Sequence, residues 1–246
     1  MAKGNLVVGQ GGGPTAVINN SLVGVIQEAL AHGEIGEIYG MYHGIEGFLG
    51  SKLIDLRKQS STKLEGLRQT PGAALGTARY KPSAAEFEQV ITLCQERNIR
   101  YFFYIGGNDS SSIVRDVNRA AAKKGYDLYA IAVPKTVDND LYGTDHCPGY
   151  GSGARFVAAA IRNTGRDTEA MGKYGPVRLM EIMGRNAGWL TAATALAKGD
   201  DERDAPHLVY VPERPVTLER ILEDVQRVYD QLGFVVVAAS EGIVDP

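Results

Sequence analysis

Two stretches of one design constrain the fold more than anything else in the chain: Tyr101 to Ser110, YFFYIGGNDS, and Ile131 to Asp140, IAVPKTVDND. Each begins as a short run of apolar, aromatic or β-branched residues and ends in a polar turn. That is the pattern of a buried parallel strand presenting chemistry at its carboxyl end, where open α/β sheets bind their ligands. The first stretch supplies Asn108, Asp109 and Ser110 after two glycines; the second supplies Lys135, Thr136, Asp138 and Asp140. Acids, an amide, a hydroxyl and a cation beside glycine-rich backbone are the parts of a phosphoryl-transfer site: a metal to screen phosphates, donors to hold them, a base for the attacking hydroxyl. Two polar loops, one capping a helix, would use the same residues, and spacing alone does not choose between these readings.

The surrounding chain repeats the same grammar. Asn5 to Val8 reads as a strand, Gly9 to Gly13 as a glycine turn, and Thr15 to Leu30 as a helix whose free N–H groups and dipole form an anion site. Neither a Walker A lysine motif nor the GxGxxG dinucleotide spacing is present. Glu37 to Met41 is a second strand, with His43 in the loop after it, and residues 51–83 read as irregular. In that segment Arg79 ends a glycine-containing run, LGTAR, and is placed to clamp a phosphate. A helix follows from Ala84 to Asn98, with Ser83 and Glu86 forming a capping box. Further strands are Tyr101 to Ile105, Leu128 to Val133, Val177 to Ile182, His207 to Val211 and Phe234 to Ala238. The helices between and after them are Ser111 to Lys124, Gly153 to Asn163, one running to Lys198 that carries Trp189 on its apolar face, and Thr217 to Leu232. Strands alternating with helices predict an α/β fold: two lobes, each with a mostly parallel sheet flanked by helices. The glycine-rich run Tyr142 to Gly153 is the expected crossing, giving lobes over 1–140 and 141–246. The strand end at Glu241 places a carboxylate where a sugar hydroxyl could meet it.

Composition excludes several classes. With 44% hydrophobic and 22% charged residues the chain builds a core rather than staying disordered. A net charge of -3 argues against nucleic-acid binding. Cys94 and Cys147 have no paired spacing, so neither a disulfide framework nor a thiolate metal site is implied. The apolar runs are too short to span a bilayer and the start lacks a signal-peptide shape, so the expectation is a cytoplasmic protein without membrane partners.

Taken together, GGGPTAVIN, LGTAR, IGGNDS, PKTVDND, MGRNAGW and SEGI, in that order from Gly9 to Gly242, resemble the 6-phosphofructokinase family. The resemblance implies a phosphofructokinase-like fold, with residues 1–140 binding the phosphoryl donor and residues 141–246 the sugar phosphate. It assigns Gly12 and Arg79 to the donor phosphates and Asn108 to the position of a magnesium-associated residue. Thr136, Val137 and Asp138 would contact fructose 6-phosphate, with Asp138 the general base for its 1-hydroxyl and Asp140 helping to organise Mg2+. Met183, Gly184 and Arg185 would hold the sugar phosphate and Glu241 its hydroxyls. Members that use ATP usually carry glycine where Asp109 and Lys135 stand here, so this pair resembles the diphosphate-dependent branch. A carboxylate at Asp109 would crowd a nucleotide's α-phosphate, while Lys135 neutralises the transferring group. ATP is the runner-up donor.

Two departures bear on this expectation. Asn108 is neutral where the family usually has an aspartate, so magnesium would be held mainly by diphosphate. Family members also continue past the SEGI region, leaving open a fragment, a chain that needs a partner, or a shortened relative with a regulatory, non-catalytic role. The family further implies a glycolytic enzyme and a homodimer or homotetramer.

Overall fold

A computed structural model describes residues 3–244, which divide into two compact units, Met1–Thr136 and Val137–Pro246. The break precedes the glycine-rich run 142–153 and falls inside the PKTVDND stretch, immediately after Thr136.

The first unit is built on a five-stranded sheet in the order β3-β2-β1-β4-β5. Its strands are β1 (Gly4–Gln10), β2 (Ile35–Met41), β3 (Leu53–Asp55), β4 (Ile99–Gly106) and β5 (Tyr129–Pro134). All pair in parallel except β3, which lies antiparallel on the edge beside β2. Because side chains alternate along a strand, β1 feeds both faces of the sheet. Leu6 and Val8 pack with Ile18, Leu22, Val23 and Ile26 of α1 (Ile18–Ala31) and with Leu64 of α3 (Ser61–Leu67). Val7 packs on the other side with Phe48 of α2 (Gly44–Leu49), Val90 and Ile91 of α4 (Ala84–Glu96), and Ile113 and Val117 of α5 (Asn108–Lys123). Burial on both faces is why these strands read as continuous apolar runs. The outermost strand is less covered: Tyr129 and Ile131 remain exposed beside α1, along an apolar groove of about 470 Å³.

The second unit has a three-stranded parallel sheet in the order β6-β8-β7, formed by β6 (Val177–Ile182), β7 (Leu208–Tyr210) and β8 (Val235–Ser240). Every residue of β8 is buried. Val236 and Ala238 meet Val157 and Ile161 of α6 (Tyr150–Met171) and Leu190 of α7 (Trp189–Ala193), while Val235 and Val237 meet Val228 of α8 (Leu218–Leu232).

The structure revises several expected elements. Segment 51–83 is not wholly irregular, since it holds β3 and α3, and the loop after β2 begins with α2. Helix α6 starts at Tyr150 and runs 22 residues, through glycines that local propensity penalises; Gly165 earns its place by packing against Ala205. The helix expected to reach Lys198 is α7 followed by a 3-10 turn, Thr194–Ala197. Trp189 is not a core residue: it opens α7 and is 54% exposed, because this five-residue helix turns Leu190, Thr191 and Ala193 inward instead. The Ser83–Glu86 capping box forms as expected. Neither cysteine forms a disulfide, and burial pushes the Cys94 thiol up to about 12, which keeps it an inert thiol at neutral pH. Among the described residues no helix is long and apolar enough to cross a membrane.

One titratable group ties β7's approach to β8. The His207 amide donates to the Val236 carbonyl at 2.9 Å, and Val236 N–H donates back to His207 Nδ1 at 2.9 Å. Nε2 then carries the proton, facing the Arg203 carbonyl at 3.3 Å. Burial holds the imidazole below its ordinary value of 6.5, so the unfolded chain binds a proton that the folded chain refuses. Stability from this group is therefore present above pH 6.5 and lost as pH falls through the lowered folded value. Urea midpoints are expected to drop as pH falls below 6.5, and to drop less in His207→Gln, whose amide does not titrate.

Candidate active site

The carboxyl ends of β1, β4 and β5 converge on the glycine turn. Lys135 directly follows β5; its amide donates to the Gly106 carbonyl at 3.1 Å, and its side chain is 2% exposed. The ammonium Nζ donates to the Gly13 carbonyl at 2.8 Å. Gly12 adopts φ +72°, and a Cβ there would lie 3.3 Å from Lys135 Nζ, so a side chain would be strained and would crowd the cation. A buried ammonium seated on a glycine turn is a fixed positive charge with backbone around it, the arrangement that receives phosphate oxygens.

Helix α5 begins at Asn108, three residues earlier than its apolar period suggested, because Gly107 takes the N-cap position. Asn108 and Asp109 therefore lie in the first helical turn, where unpaired N–H groups and the positive end of the dipole gather. Ser110 is buried, and its Oγ packs against Gly11 and Gly106, locking this turn onto the glycine loop. The Asp109 carboxylate forms an ion pair with Lys81 at 3.3 Å, both side chains being 81% exposed. So exposed a pair adds little to stability, but it brings a further cation to the head of α5. Lys81 was not legible as a site residue, since its partner lies far along the chain. Arg79, two residues before it, is exposed and has no hydrogen bond or ion pair among the described residues. Thr136 closes this unit, its Cβ 3.5 Å from the position a Gly107 side chain would take.

In the second unit Val137 packs over Gly153, and Asp138 and Asp140 are partly buried, flanking Asn139. Asn139 shapes this turn, a role that no local pattern announces. It is 6% exposed with φ 55°, donates from Nδ2 to the Asp145 carbonyl at 3.1 Å, and accepts from Cys147 N–H at 2.7 Å. The side chain thus fastens the aspartate-bearing turn to the segment preceding α6, holding a left-handed conformation that asparagine tolerates better than most residues.

At the carboxyl ends of the neighbouring strands β6 and β8, Met183, Gly184 and Arg185 meet Ser240 and Glu241. Gly184 N–H donates to Glu241 Oε1 at 3.1 Å, and Ser240 Oγ donates to the Gly184 carbonyl at 2.7 Å. Gly184 has φ +124°, and a Cβ would sit 2.5 Å from the Ala187 carbonyl, so only glycine fits. The turn presents Arg185 outward, exposed and with no side-chain partner among the described residues, beside a carboxylate already oriented by a backbone N–H. One guanidinium and one oriented carboxylate match a ligand with both an anionic group and hydroxyls.

Comparison with known proteins identifies the family and the fold. The family model Phosphofructokinase matches residues 5–246. The pyrophosphate–fructose 6-phosphate 1-phosphotransferase of Rhodospirillum rubrum is 46% identical over the whole chain, and the sulfofructose kinase of Alkalicoccus urumqiensis is 39% identical over 97% of it. The crystal structure of a pyrophosphate-dependent phosphofructokinase from Nitrosospira multiformis superposes with a TM-score of 0.90 at 40% identity, covering 100% of this chain and 62% of that one. The chain spans 60% and 61% of the length of these two curated relatives. With its sheets, its strand-end turns and nearly its full length matched, the chain belongs to the phosphofructokinase family.

Proposed function

We propose that this chain is part of an enzyme that reversibly transfers a phosphoryl group from diphosphate to the 1-hydroxyl of fructose 6-phosphate, giving fructose 1,6-bisphosphate and phosphate. The observation that carries the reading is the Lys135 ammonium seated on Gly12 and Gly13, with Asp109 at the head of the helix that follows the adjacent strand. The first unit holds the donor: Gly12, Lys135 and Arg79 meet its oxygens, and the bulk of Asp109 leaves no place for a nucleotide's α-phosphate. Since Lys81 offsets part of its charge, Asp109 excludes by volume as much as by repulsion. The second unit holds the acceptor: Arg185, with Met183 and Gly184, takes the 6-phosphate, and Glu241 takes hydroxyls. Thr136 and Val137 line the approach to Asp138, which accepts the proton of the 1-hydroxyl as that oxygen attacks phosphorus and the bond to the leaving phosphate breaks.

The Asn108 amide carbonyl of the first unit and the Asp140 carboxylate of the second are each hard oxygen donors of the kind Mg2+ takes. Among the described residues no group of three His, Cys, Asp or Glu side chains forms a ready cage, which suits a cation that keeps its waters and arrives on phosphate. When bound, the ion would screen the charge of the phosphate oxygens. The reading extends to a cytoplasmic, glycolytic homodimer or homotetramer that binds neither nucleic acid nor membrane.

Phosphorus NMR of the full-length protein with fructose 6-phosphate, diphosphate and Mg2+ tests this. Appearance of fructose 1,6-bisphosphate and phosphate, and the reverse reaction from those products, is the expected result. Binding of fructose 6-phosphate without turnover from any donor would instead assign a regulatory, non-catalytic role. Sulfofructose, named for the Alkalicoccus relative, is the competing acceptor to include.

A further inference from the structure

Beneath the donor side of the first unit lies a buried polar network that the transfer chemistry does not itself use. Gln10 ends β1 with 0% exposure, and Asn19 sits in the first turn of α1 with 1%. Gln10 Nε2 donates to the Ile18 carbonyl at 3.2 Å and to Asn19 Oδ1 at 3.1 Å. Gln10 Oε1 accepts the Leu75 amide at 2.9 Å, and Asn19 Oδ1 accepts the Ala74 amide at 2.9 Å. Asn19 Nδ2 completes the set by donating to the Thr70 carbonyl at 2.9 Å. The two amides thus bond to each other and to the first residue of α1 on one side, and to segment 70–75 on the other.

Burying two side-chain amides costs free energy unless each is satisfied, and a pair of apolar side chains would fill the same space. What apolar packing would not supply is register: three main-chain groups of the 70–75 segment are fixed at 2.9 Å to residues flanking the turn. The same segment continues to Arg79. There it borders Gly44, as the end of β1 does: a side chain at Gly44 would lie 3.1 Å from the Gln10 carbonyl and 3.6 Å from the Ala78 amide. Arg79, the next residue, is an exposed guanidinium with no hydrogen-bond or ion-pair partner among the described residues.

We propose that Gln10 and Asn19 are positioning residues that set the distance between Arg79 and the Gly12–Lys135 donor seat. This rests on the donor reading above and adds to it the device that aligns the donor's second cation. The network acts on diphosphate binding through Arg79 and leaves the acceptor turn at Gly184 and Arg185 untouched.

The test is steady-state kinetics of full-length Gln10→Leu, Asn19→Asp, Arg79→Ala and the Gln10→Leu/Arg79→Ala double variant. Each single variant is expected to raise KM for diphosphate about tenfold or more, with KM for fructose 6-phosphate within about twofold, since small misplacement of a binding group is costly. In the Arg79→Ala background the Gln10→Leu effect on that KM is expected to shrink below about threefold, the mark of residues acting through one another. Amide exchange at Ala74 and Leu75 is expected to quicken in both network variants. Asn19→Asp keeps the side-chain volume and the Oδ1 acceptor, so it serves if Gln10→Leu does not fold. Additive effects in the double variant, or equal rises in both KM values, would overturn the positioning role alone. A wild-type enzyme that ignores diphosphate would overturn the donor assignment, and this role with it.

Discussion

Replacing Asp138 by asparagine is expected to lower kcat for transfer to fructose 6-phosphate by about 10²–10⁴-fold, the usual contribution of a positioned general base. The substitution keeps size and hydrogen-bonding reach but removes the group that takes the proton, so KM for the sugar phosphate should stay close to that of wild type. The turn is held by neighbouring Asn139 through its bonds to Asp145 and Cys147, so it is expected to persist when Asp138 changes. Rapid-quench measurement of a single turnover checks the prediction, because it reads the chemical step apart from product release. A kcat within a few fold of wild type would remove Asp138 from its role.

The second large effect is expected at Lys135. Lys135→Met substitutes a side chain of similar length for a buried ammonium that donates to Gly13. Losing one preorganised donor to the transferring group is expected to cost about 10²–10³-fold in kcat with diphosphate. Losing the hydrogen bond to the Gly13 carbonyl is expected to cost about 1–3 kcal/mol of stability as well. A thermal melt beside the kinetic assay separates the two effects. A large fall in melting temperature with unchanged kcat would make Lys135 a structural residue.

How much of this was legible in the sequence depends on the range of the interactions involved. Turns made by contiguous residues were readable: IGGNDS, PKTVDND and MGR each carry their glycine, their charge and their strand in one stretch, and each lies at a strand end in the structure. So was the Ser83–Glu86 box, whose bonds span three residues. Elements held by tertiary packing were not. Helices α2 and α3 and strand β3 are too short for a hydrophobic period to show, and β3 exists only because β2 offers it an edge. The polar run Asn108 to Ser110 read as loop because such residues favour turns, yet Gly107 takes the N-cap position and all three lie in the first helical turn. Lys81, Gln10 and Asn19 escaped notice for one reason: their partners lie at Asp109 and in segment 70–75, and nothing local announces those pairings.

The account rests on Asp109 and Lys135 admitting two phosphates and refusing a nucleotide. Initial velocities with diphosphate and with ATP, each at saturating fructose 6-phosphate and Mg2+, test that most directly in the full-length protein. The account predicts kcat/KM for diphosphate at least about 10²-fold above that for ATP, a difference of roughly 2.7 kcal/mol in transition-state stabilisation. Equal efficiency, or a preference for ATP, would contradict it.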